Sequence, residues 1–112
     1  MSSPQRHSQY PGLETGFNVL DTELLAEKAS ALGNAERRVV AAMAALRAFD
    51  ATPRTDADRL IFVQAAAHEV WCFFVQRELC GLRDQRAVIR DMAIPGEVLV
   101  RLGERPMQHA SG

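Results

Sequence analysis

Histidine and cysteine four residues apart on a helix share a face, and both can ligate zinc. The string His68-Glu69-Val70-Trp71-Cys72 is therefore the first place to look for chemistry. Glu69 stands where a zinc hydrolase keeps its general base, with Cys72 replacing the second histidine of that pattern. A catalytic zinc needs a third protein ligand, and nothing nearby in sequence supplies one. The other histidines, His7 and His109, fall in the two terminal tails. The simpler reading is a histidine on the polar edge of a core helix beside a buried thiol. No metal and no cofactor are expected.

The stretch from Asp84 to Gly103 fits the spacing of a helix-turn-helix. Val88, Met92, Ile94, Leu99 and Leu102 occupy its apolar positions, and Ala93 is small where the turn usually has glycine. Ile89, however, stands where that motif wants a small residue. The would-be recognition helix, 95–102, exposes mainly Gly96, Glu97, Val100 and Arg101, which is one phosphate or guanine ligand beside one repelling acid. Between Leu82 and Pro106 five arginines meet four acids, so the charges nearly cancel. Plain bundle packing is the favoured reading. A small DNA-binding regulator contacting its target through Arg90 and Arg101 is the alternative.

Arg77 projects towards the apolar arc of its helix and is expected to meet an acid or free carbonyls, with Asp84 or Asp91 as partner. That makes it a structural tie for the short helices rather than a ligand site. Arg37-Arg38 and Arg47 read as solvated helix surface. Catalytic constellations are otherwise missing. The glycines sit at helix ends and in tails instead of forming a phosphate loop, and Ser30 lies mid-helix without a base. Cys80 is near a helix C-terminus, where the dipole disfavours a thiolate, and Glu23 and Glu27 share a face without acid–base partners. The chain is read as non-enzymatic.

These residues have to be carried by helices. A chain of 112 residues with 47% hydrophobic content is enough for one core and too apolar for disorder. A net charge of −1 argues against a polyanionic partner such as nucleic acid. The longest apolar run, Leu60 to Val75, carries Gln64, His68 and Glu69 and is too short to span a membrane. Cys72 and Cys80 are separated by roughly 12 Å of helix, beyond disulfide reach. With no secretory signal visible in the Ser/Pro/Gln-rich N-terminus, the expected location is the cytoplasm.

Residues 1–17 and 104–112 read as disordered tails around a single domain at 18–103. The first helix is expected to start near Asn18 or Asp21 and to run to about Phe49. Leu25, Leu32, Val39 and Leu46 keep a seven-residue beat, with Ala35, Ala42 and Phe49 three residues after the last three. Lys28 interrupts this seam, and Gly33-Asn34 is its weak point; one long helix is preferred over a break there. Thr52-Pro53-Arg54 is a loop, Thr55 a cap and Asp58 its capping-box acid. The second helix runs to about Cys80 and stops at Gly81, followed by apolar Leu82. Its apolar arc holds Leu60, Phe62, Val63, Ala66, Ala67, Val70, Trp71, Phe73 and Phe74. Asp58, Gln64, His68, Glu69 and Gln76 form the polar strip opposite. Asp84 caps a third helix to about Met92. Pro95 opens a fourth that reaches Leu102, with Gly103 after it. The fold class is all-α: a small helical bundle made of a long antiparallel hairpin plus two short C-terminal helices.

The stretches Asn18-Val-Leu-Asp21, Leu24 to Gly33 and Phe73 to Asp84, continuing through Ala87-Val-Ile-Arg-Asp91 and Ile94-Pro95, resemble a small bacterial family of all-helical proteins of unknown function. The resemblance implies the helical fold and no activity, cofactor or partner. The residues themselves point to a protein-interaction module that self-associates through the alanine-rich face of the first helix.

Overall fold

The computed structural model describes residues 11–52 and 56–104, with side chains from Val19 onward. Four helices follow one another: α1 (Pro11–Asp50), α2 (Asp56–Leu79), α3 (Arg86–Asp91) and α4 (Gly96–Leu99). The fold is the expected all-helical hairpin with short C-terminal helices. Pro53-Arg54 and the Thr55 cap lie outside the described residues, as do residues 1–10 and 105–112.

The helix expected from Asn18 or Asp21 starts at Pro11 instead, so residues 11–17, assigned above to the N-terminal tail, are helical. Proline suits a first helical position, having no N–H to leave unsatisfied and a φ already set. Gly33-Asn34 does not break α1. The chain does, however, divide into two compact units beside it, residues 1–31 and 32–112. In the first, the described part is the N-terminal half of α1.

The second unit holds the core. Ala35, Val39, Met43, Leu46 and Phe49 of α1 are buried together with Val63, Ala66, Ala67, Val70, Phe73 and Phe74 of α2, and Ile94 and Val98 complete the set. Late α1 residues meet early α2 residues: the Phe49 and Phe62 rings lie 4.8 Å apart, and Arg59 binds Asp50 at 2.7 Å. Earlier α1 meets later α2, with Arg38 Nε 3.4 Å from Glu69 Oε1. This order fixes the antiparallel sense. Gln64, placed above on the polar strip, is buried at 8% exposure. Its Nε2 donates to Glu104 Oε1 at 3.2 Å, so the chain after α4 crosses over it.

The helix ends follow local chemistry. Gly81 has φ +85°; its N–H donates to the Glu78 carbonyl and the Leu82 N–H to the Arg77 carbonyl, the two bonds of a Schellman stop. The same pair closes α3, from Ala93 N–H to Arg90 and from Ile94 N–H to Ile89, but there Ala93 holds φ +53°. The third helix starts two residues after Asp84, whose carboxylate accepts the Arg86 N–H at 3.1 Å. The fourth is a single turn, ending at Leu99 rather than Leu102. Beyond it the Arg101 and Leu102 amides donate three residues back, the tighter 3₁₀ pattern.

Candidate interaction surface

The polar clusters are engaged within the fold. His68 Nε2 and Cys72 Sγ are brought to 3.7 Å by their helical spacing, while Glu69 turns to Arg38. Burial, with the Glu69 charge adding to it, pushes the Cys72 thiol above its ordinary range, opposite to what a nucleophile or a metal ligand needs. Among the described residues no group of three or more His, Cys, Asp or Glu side chains is placed to hold a metal. Cys72 and Cys80 are free thiols.

Arg77 does tie α2 to the start of α3, though not through a carboxylate. Its Nε donates to Gln85 Oε1 at 2.6 Å and its terminal nitrogen to the Asp84 carbonyl at 3.1 Å, with the guanidinium 5.9 Å from the Phe73 ring centre. The Asp84 carboxylate goes to Arg86 instead, which holds that carboxyl below its usual range. Arg47, read above as solvated surface, donates to the carbonyls of Met92 and Ala93 at 3.3 and 3.4 Å. A cation there meets the negative end of α3. Arg90 is exposed and paired with Asp91, and Arg101 is held by Glu104 at 3.1 Å.

Arg59 is absent from the sequence reading and central in the structure. It binds Asp50 through Nε and one terminal nitrogen and Glu97 through both terminal nitrogens, at 2.7–3.1 Å, joining the end of α1, the start of α2 and α4. Hydrogen bonding to Arg59 holds both carboxyls below their ordinary range. The Asp50 contact is legible once a short hairpin loop is assumed. Nothing in the sequence points to Glu97. An open groove of about 330 Å³ beside Arg59 is lined by Asp56, Leu60, Val63, Glu97, Val100 and Arg101. Both of its arginines already hold carboxylates, so an anionic ligand would have to displace those bonds.

Several large apolar side chains are exposed as well. On α2 and just beyond it, Trp71, Val75, Leu79 and Leu82 are exposed, and Trp71 borders Gly103. On the N-terminal half of α1, Val19, Leu20, Leu24 and Leu25 are 51, 63, 50 and 66% exposed. At 100° per residue, Leu20, Leu24 and Leu25 fall on one side of this half. Lys28, half-buried, lies on that side too. Of the seam expected from the sequence, Val39 and Leu46 are buried, whereas Leu25, its first member, is exposed.

No described helix is long and apolar enough to cross a membrane. No curated protein and no solved structure matches the chain. A family model does match, over residues 10–110, and the chain belongs to that family of unknown function, DUF6665.

Proposed function

We propose that this protein is a non-enzymatic helical interaction module whose docking face is the N-terminal half of α1. One observation carries the reading: Leu20, Leu24 and Leu25 lie on one side of the N-terminal half of α1 and are at least half exposed. A monomer keeps few contiguous exposed apolar patches, and those it keeps are commonly where partners bind. A helix presenting leucines at such spacing suits another helix, whose ridges fill the grooves between them. The polar clusters support the same reading from the other side, because Arg59, Arg77, Arg47 and Arg101 all serve internal contacts. Free Cys72 and Cys80 fit a reducing compartment such as the cytoplasm.

The test is a comparison of the full chain with Leu24→Gln/Leu25→Gln in cross-linking from nuclease-treated host lysate and in purified form. The double variant should melt like the wild type and lose every specific cross-link, self-cross-links included. Retention of the same cross-linked products by the variant would overturn the reading. Recovery of DNA from a parallel lysate left untreated with nuclease, lost on Arg90→Ala and Arg101→Ala, would replace it with a nucleic-acid module.

A further inference from the structure

We infer that the occupant of this face is a second copy of the chain, laid antiparallel across α1 with a two-fold axis between residues 24 and 25. The inference rests on the docking reading above and adds the partner. Four side chains at the centre of the exposed arc decide it: Asp21, Leu24, Leu25 and Lys28. Asp21 and Lys28 are seven residues apart, two helical turns, so they sit on one line at roughly 10 Å and are too distant to pair with each other. Neither forms an ion pair with another described residue.

Two copies can be laid together in two senses. A parallel, in-register pair sets Lys28 against Lys28 and Asp21 against Asp21, which is repulsive at both layers. Reversing one copy about the stated axis sets Leu24 against the second copy's Leu25. The same operation brings Lys28 opposite the second copy's Asp21, and by symmetry Asp21 opposite its Lys28. The leucines close the middle, and two opposite-charge pairs flank them. Glu23 then faces Ala26 and Glu27 faces Thr22, so no acid meets an acid. The arrangement is isologous: one patch complements itself and needs no second surface. An anionic membrane fits the face poorly, since Asp21, Glu23 and Glu27 border it against a single lysine.

The patch is small beside the surfaces that hold permanent dimers, so the equilibrium belongs in the micromolar range and follows protein concentration. The charge pairs set orientation and register more than affinity.

Sedimentation equilibrium on the purified full chain, with charge reversals, tests this directly. Wild-type protein should pass from monomer to dimer with rising concentration. Lys28→Glu turns both flanking pairs into acid–acid contacts and should weaken association about tenfold. Asp21→Lys should do the same, and Asp21→Lys/Lys28→Glu together should restore it. Circular dichroism confirms that each variant keeps its helix. A strict monomer at every concentration overturns the inference, as does a double reversal no better than either single one. If the chain is monomeric while lysate cross-links still depend on Leu24 and Leu25, the docking face stands and its occupant is a different protein. If those cross-links are independent of the leucines, the docking reading itself has failed.

Discussion

The two halves of α1 carry the same apolar periodicity and meet opposite fates. From Ala35 to Phe49 the arc is closed over by α2, with Val39 wholly buried and Leu46 at 2% exposure. In the N-terminal half Leu20, Leu24 and Leu25 are exposed. Polar contacts also gather on the covered half. Arg38 reaches Glu69, Arg47 reaches the end of α3, and Asp50 shares Arg59 with Glu97. Periodicity alone thus marks where a helix is able to bury surface. Whether it does so within its own chain depends on what is folded beside it.

The comparison breaks most sharply under leucine truncation. Leu46→Ala empties space in a closed core and should cost about 2–5 kcal/mol, the order seen for other buried leucines. Leu25→Ala should change the stability of the dilute monomer by no more than about 0.5 kcal/mol. Urea unfolding at low protein concentration measures both. Equal costs would mean that the N-terminal half is covered after all.

Acid tests the polar side of the covered half. The Asp50 and Glu97 carboxyls lie below their ordinary values of 3.8 and 4.5 in the folded protein. As pH falls, the unfolded chain therefore takes up protons first. The stabilisation is present in full above those ordinary values and is lost as pH drops towards the folded ones. Arg59→Met should remove that loss, leaving a flatter dependence of the melting temperature on pH below about 4.5. An acid limb as steep as the wild type's would exclude Arg59 as its source.

A smaller effect of opposite sign is expected where Arg47 meets the α3 stop. Ala93 holds a left-handed backbone that disfavours any β-carbon, so Ala93→Gly should raise stability by about 0.5–1 kcal/mol, the relief of strain exceeding the entropy of the added glycine. Gly81, with φ +85° in the matching stop of α2, provides the internal contrast: Gly81→Ala should destabilise by about 1 kcal/mol. Unfolding curves of the two variants, moving in opposite directions, check the pair together.

Much of this was legible before any coordinates. The helical hairpin follows from periodicity, the α2 stop from Gly81-Leu82, and most of the core from the arc running from Val63 to Phe74, because these are local rules of spacing and backbone geometry. Gln64 defeated the same reasoning. A helical wheel assigns it to a polar strip, and only the return of the chain at Glu104 buries it. Arg47 and Arg59 are likewise ordinary surface arginines until residues some forty positions away are brought to them. The start of α1 was misplaced because good caps at Asn18 and Asp21 do not stop a helix from beginning earlier.

The sequence by itself therefore determined the helical hairpin and its apolar stripes, since each depends on neighbours a few residues apart. Only the tertiary structure decided which residues of the α1 stripe are core and which are exposed. Burial is a property of what lies opposite, and a stripe of leucines carries no record of what will be folded against it.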